Sequence, residues 1–276
     1  MKRYFVVIAL LVATAVAQSA PSQPSTEGAP FGLAALTKSA DPTTQKAEDM
    51  LAKMITKLGG QAYLNYTTRE ESGRTYSFYK GEPNSTGNLF WRYWRFPDQE
   101  RVEFTKQRDV VYINNGDKGF EVTYKGTTTQ DKKDLDDYLR RRKHSLENVL
   151  RHWLHDPKTV VLYLGPGVAD RRMAEIISII SPENEEVTVY IDPITWLPIQ
   201  KKFEWRDQDK YKNDETEIYG GYRAVQGIQT PFTLTRARNG DTTSQRFLNG
   251  VEYGKPLEDG MFQASITYDP AHYRKK

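Results

Sequence analysis

Cysteine is absent from all 276 residues, and that absence alone removes several chemistries. Disulfides, thiolate nucleophiles, Cys-ligated zinc, iron–sulfur clusters and lipid attachment at an N-terminal Cys are all excluded. Histidine is scarce, with four residues, and the net charge of the full chain is only +3. So small a charge gives no argument for a nucleic-acid binder, and none is expected. Nor does the chain contain a phosphate loop, a dinucleotide fingerprint, a Gly-x-Ser-x-Gly elbow or a His-Glu-x-x-His helix. What is present is apolar and aromatic: 38% hydrophobic residues, enough for a core, and 12% aromatics, a share that favours pleated sheet.

The N-terminus reads as an export signal. Lys2 and Arg3 precede an apolar run from Val6 to Ala13, and Ala15-Val16-Ala17 has the small-x-small pattern of a cleavage site. The run is short for a membrane span, which needs about 20 residues. Cleavage after Ala17 removes two positive charges and leaves the mature chain at +1. Residues 1–17 are therefore expected to be a signal peptide, 18–40 a Pro/Ser/Ala/Gly-rich flexible leader, and 41–276 one folded domain. A Cys-free exported protein suits the bacterial periplasm.

Asp41 and Pro42 predict a helix start, Gly59-Gly60 its end, and Ala47, Met50, Leu51, Met54, Ile55 and Leu58 share one face between them. Strand-like runs follow at 62–69, 74–80, 88–96, 101–106, 110–114 and 119–124, separated by turn signals such as Ser72-Gly73 and Asn115-Gly116-Asp117. A second helical stretch covers 135–155, as one helix or as two broken near Ser145. Strands resume at 159–164, 173–180, 186–192, 197–206, 215–222, 228–237 and 244–253. Gly165-Pro166-Gly167 reads as a turn. Short connections imply antiparallel neighbours, and the grouping of strands into blocks implies an α+β fold.

Candidate chemistry is thin. On a helical wheel, His144, His152 and His155 fall away from the apolar face, so solvent-facing histidines are expected, with no metal and no cofactor. Arg140-Arg141-Arg142-Lys143 is flanked by acidic residues and reads as neutralised helix-surface charge. Glu70/Glu71, Glu183/Glu185/Glu186 and Asp207/Asp209 could supply a hydrolase pair but cluster near turns. A curved aromatic sheet only partly covered by amphipathic helices would instead leave a slot for an acyl chain, each CH₂ gaining about 0.8 kcal/mol there.

The C-terminal half contains Val189-Tyr190-Ile191-Asp192-Pro193-Ile194-Thr195-Trp196-Leu197-Pro198, then Tyr219-Gly220-Gly221-Tyr222-Arg223 and Gly227-Ile228-Gln229-Thr230-Pro231-Phe232, followed by Leu234–Gly240. This pattern resembles the periplasmic outer-membrane lipoprotein-sorting (LolA-like) superfamily. The resemblance covers most of the mature chain and is most specific across 187–253. It implies a strongly curved antiparallel sheet, an unclosed β-barrel of about 11–12 strands, with two or three helices over its concave face. It also implies a hydrophobic cavity for lipid or lipoprotein acyl chains, with inner- or outer-membrane envelope proteins as further partner candidates. None of the matching segments supplies a ligand-contact residue.

From strand alternation the cavity lining is expected to be Phe78, Trp91, Phe104, Tyr112, Phe120, Leu162, Val189, Phe203 and Phe232. Met54, Leu150 and Trp153 are expected on the lid. The expected function is a non-catalytic, monomeric periplasmic carrier. An envelope hydrolase or a non-catalytic envelope scaffold is the alternative. Arg142 interrupts the apolar stripe of the second helical stretch, so that stretch should bend near Arg142–Ser145 and dock less firmly than the sheet.

Overall fold

Asp41 caps the first helix, α1 (Pro42–Leu58), by accepting from the Thr44 amide at 2.8 Å, and Pro42 occupies its first turn. Gly59 ends it at φ 131, where a Cβ would lie 2.7 Å from the Gly227 carbonyl oxygen. A computed structural model describes residues 41–268. The expected signal peptide, the leader and residues 269–276 lie outside the described residues.

After α1 come a short helix, α2 (Gln61–Asn65), and the strands β1 (Thr68–Tyr79), β2 (Glu82–Pro83), β3 (Asn88–Arg95), β4 (Gln99–Phe104), β5 (Val110–Asn115), β6 (Lys118–Thr123) and β7 (Gly126–Thr129). Two helices follow, α3 (Lys132–Lys143) and α4 (Leu146–Arg151), with a 3₁₀ turn at Trp153–His155. The rest is a meander: β8 (Val160–Ala169), β9 (Arg172–Ile180), β10 (Glu186–Ile191), β11 (Pro198–Arg206), β12 (Lys212–Val225), β13 (Ile228–Arg238) and β14 (Asp241–Tyr253). All pairings are antiparallel in one 14-stranded sheet of order 7-6-5-4-3-1-14-13-12-11-10-9-8, with β2 attached to β1. β1 therefore joins two meanders, and β7 and β8 are the free edges. The chain leaves the β7 edge, crosses in α3 and α4, and re-enters at the β8 edge. An unclosed sheet thus acquires a helical roof from one connection.

The α+β class, the antiparallel sheet and the unclosed curvature agree with the sequence expectation. Strand number is higher because β2 and β7 are too short to show periodicity. The 62–69 run does not start as a strand: Gly59 and Gly60 both take positive φ and let the chain restart as α2, which buries Tyr63 and Leu64. Ser72-Gly73 is not a turn but a bulge within β1, where a Cβ on Gly73 would stand 2.1 Å from the Phe247 carbonyl oxygen. Gly165-Pro166-Gly167 lies inside β8, whose register shifts between Tyr163 and Gly165. The 135–155 stretch breaks at Ser145, whose hydroxyl accepts from the Asn148 amide at 3.2 Å.

The concave face has two halves. From β8 to β11 it carries Val161, Ile177, Ile179, Val187, Val189, Ile191 and Phe203, buried together with Leu51, Met54 and Leu58 of α1 and Val149 and Leu150 of α4. Each such side chain contributes about 1.5–3 kcal/mol by leaving water, so apolar area holds α1 and α4 in place. None of the residues of α3 is buried.

Candidate functional site

Under α3 the concave face is open. A cavity of about 630 Å³ lies between that helix and strands β1, β3–β5 and β12–β14. Trp94, Val102, Phe104, Tyr112, Tyr219, Leu234, Leu248 and Tyr253 give it aromatic and aliphatic wall. Charged side chains alternate with them at period two: Arg69 and Glu71 on β1, Arg92 on β3, Glu100 on β4, Glu215 and Glu217 on β12, Arg236 and Arg238 on β13, and Arg246 on β14. The expectation of a hydrophobic cavity is corrected to this extent. A slot does lie between helix and sheet, but it is amphipathic, because the inward positions of these strands carry arginine and glutamate.

The charges form three clusters. In the first, Glu71 lies 3.0 Å from Arg69, 3.1 Å from Arg92 and 3.9 Å from Arg246. Arg92 also reaches Glu100 at 2.6 Å, and Arg69 reaches Glu147 of α4 at 2.8 Å. Burial pushes the Glu71 carboxyl up, but Arg69, Arg92 and Arg246 outweigh it and bring it down to about 2. Glu100 and Glu147 are lowered in the same way, against their own burial. In the second cluster Glu217 sits between Lys201 at 3.1 Å and Arg236 at 2.8 Å, and these two cations hold it far below the usual carboxylate range despite burial. In the third, Arg238 bonds Asp137 of α3 at 2.8 Å and Glu215 at 3.1 Å. Arg140 pairs with the same two acids, and Arg141 is 3.9 Å from Glu215.

These contacts determine how α3 is attached. The Arg140 guanidinium covers the Trp205 ring at 3.5 Å, and Arg142 donates to the carbonyls of Asp98 at 3.3 Å and Gly116 at 2.5 Å. Arg140, Arg141 and Arg142 of the basic run read from sequence as helix-surface charge instead point inward, with Glu215 on the sheet among their acidic partners, whereas Lys143 stays exposed and pairs with Glu185 at 2.8 Å. Ion pairs and hydrogen bonds hold the roof helix, with little apolar burial. At its end, His144 is 5% exposed, stacked on Phe203 with ring centroids 4.2 Å apart. The solvent-facing reading of His144 is therefore corrected: the break at Ser145 turns the imidazole toward the sheet. Burial lowers its pKa. Buried Lys201 donates to the His144 carbonyl at 2.7 Å, and buried Arg151 donates to the Tyr66 carbonyl at 2.7 Å and to that of Tyr63.

The residues expected at the site distribute by strand phase. Phe104 and Tyr112 line the cavity. Val189 and Phe203 lie on the concave face but in the packed half, as do Met54, Leu150 and Trp153 from the helices. Trp91 pairs across β3 and β4 with Glu103, one position out of phase with the lining residues Arg92 and Val102, and Arg108 covers its ring at 4.1 Å on the convex side. Phe120 is opposite Ile113, and Leu162 opposite Ser178, both on the convex face. Phe78 shares its phase with Tyr76, which packs on Phe247 away from the cavity. Phe232 is buried beneath the Arg223 guanidinium at 4.3 Å. Sequence reasoning singled out Glu71, as part of a possible hydrolase pair near a turn, and Arg141 and Arg142, as surface charge, but placed none of the charged residues in the lining. The readable signal was Glu215-x-Glu217 on one strand facing Arg236-x-Arg238 on the next, complementary charge at the period that puts both pairs on one face.

No protein-family model matches the chain, and no curated protein does. Solved structures do. A DUF1329 family protein from Desulfovibrio piger superposes with a TM-score of 0.55 at 12% identity, covering 81% of this chain and 98% of that one. A domain described as an outer membrane lipoprotein-sorting protein, from Vibrio parahaemolyticus, gives 0.51 at 10% identity, covering 79% and 97%. The chain therefore has the LolA-like fold. No helix among the described residues is long and apolar enough to cross a membrane.

Proposed function

We propose that this protein is a non-catalytic carrier of the bacterial periplasm, exported by a signal peptide cut after Ala17, which holds lipid or lipoprotein acyl chains in the cavity under α3. The carrying observation is the cavity itself: about 630 Å³ with an aromatic and aliphatic wall, within the range of ligand sites, roofed by a helix that buries no residue. The likeness to a structure described as lipoprotein-sorting supports the same reading. So does the state of the cavity acids. A general acid needs a carboxyl held protonated near neutral pH, whereas Glu71, Glu100, Glu147, Glu217 and Asp137 are all pushed the other way, against burial, by adjacent cations.

Native mass spectrometry of the mature protein, with organic extraction of the same preparation, tests this. The carrier reading expects an adduct of one amphiphile per chain, either co-purified or taken up from micelles. Protein that never carries or takes up an amphiphile would refute it.

A further inference from the structure

Within the three charge clusters, eight basic side chains share six carboxylates. The sharing is uneven. Glu71 is already taken at about hydrogen-bond distance by Arg69 and Arg92, so Arg246 meets it only at 3.9 Å. Glu215 bonds Arg238, so Arg141 likewise stands at 3.9 Å. Side chains of Arg246 and Arg141 are 21% and 27% exposed, and both line the cavity. Arg236 is the charged neighbour common to both. On the concave face Arg246 is opposite Leu234, two residues before Arg236 on the same strand. Burial and then Arg236 lower the pKa of Arg141, and burial followed by Arg236 and Arg92 brings Arg246 down to about 10. Arg141 and Arg246 thus both stand beside open space, each repelled by Arg236 and each no nearer than 3.9 Å to its carboxylate.

We infer that Arg141, Arg236 and Arg246 form a receptor for a phosphate group inside the cavity, with the aromatic wall beside it taking the apolar part of the same ligand. Guanidinium forks match phosphate oxygens in pairs, and Arg141 and Arg246 have donors not committed to a close carboxylate. An anion placed among them offsets the repulsion between Arg236 and its two neighbours. This inference rests on the carrier reading for the ligand's tail but not for its head.

Binding to the mature protein is measured by titration calorimetry with three probes: dodecyl phosphate, dodecyl maltoside and inorganic phosphate. Dodecyl phosphate should bind at least about 10-fold more tightly than dodecyl maltoside, and added salt should narrow that ratio. In R141Q/R246Q the ratio should fall to near one while maltoside affinity stays the same. The variant should stay folded, because neither side chain holds a carboxylate closer than 3.9 Å. A wild-type ratio near one overturns the phosphate receptor without any variant and leaves the carrier reading standing if both amphiphiles bind. A ratio that survives in R141Q/R246Q also overturns it. Inorganic phosphate binding that R141Q/R246Q abolishes, with neither amphiphile bound, upholds the receptor for a free anion and refutes the carrier. Failure of all three probes refutes both.

Discussion

Glu71→Gln isolates the electrostatics of the concave face, because it changes a charge and almost no volume. In the wild type this carboxylate is 7% exposed and touches Arg69, Arg92 and, more distantly, Arg246. Its descent from 4.5 to about 2 corresponds to about 3 kcal/mol of folding stability. Breaking a buried pair from one side gives a similar figure, about 3–5 kcal/mol, since Arg69 and Arg92 lose a shared acceptor. For a chain of this size that is a fall in Tm of roughly 6–12 °C at pH 7. The sign with pH follows from the depressed value. The contribution is complete above 4.5 and is lost as pH falls toward 2, so at pH 3 wild type and E71Q should differ by only about 1 kcal/mol. Urea unfolding followed by circular dichroism at pH 7 and pH 3 reads both numbers. A variant within about 0.5 kcal/mol of wild type at pH 7, or a difference that does not shrink at pH 3, would refute this account of the cluster.

Lys201→Met should cost about 3 kcal/mol, the low end for a broken buried pair because Glu217 keeps Arg236; denaturant melts check it. Gly73→Ala should cost about 3 kcal/mol or more, since its Cβ meets the Phe247 carbonyl oxygen at 2.1 Å, and a melt equal to wild type would dismiss the bulge. Asp137→Asn should raise hydrogen exchange in α3 while leaving β9 and β10 unchanged, because Asp137 is an ionic tie between that helix and β13. His144 is 5% exposed and its pKa is lowered chiefly by burial, so it contributes stability above pH 6.5 that is lost as the solution is acidified below it. Wild-type stability should therefore begin to fall below pH 6.5, before the carboxylates titrate. A flat profile from pH 7 to 5 would oppose the buried placement of the His144 ring.

Much of the fold was legible because most of its strands are long and alternate, and because Asp41, Pro42 and Gly59-Gly60 bound α1 by side-chain chemistry alone. The Ser145 break was also legible, as a cap within an interrupted stripe. The bulge at Gly73 was not, since Ser-Gly signals a turn equally well until the Phe247 backbone comes within reach. The cavity residues were half legible. Alternation placed Phe104, Tyr112, Val189 and Phe203 on the concave face but put Trp91, Phe120 and Leu162 there too, because convex positions of these strands are also aromatic or aliphatic. The arginines and glutamates escaped for a more general reason. Charge at period two normally marks the solvent side of a sheet, and only the pairing of β12 with β13 shows that here it faces inward.

Hydrogen exchange across the mature protein, with and without dodecyl phosphate, tests the central claim most directly, because it locates the ligand as well as detecting it. The account predicts that α3 and α4 exchange faster than the β10 segment Val187–Ile191 in the free protein. Ligand should then slow α3, α4 and the lining strands β13 and β14, leaving the convex turn at Asp259–Phe262 unchanged. Equal protection of α3 in both states, or slowing confined to the convex face, would contradict a cavity that takes its ligand beneath that helix.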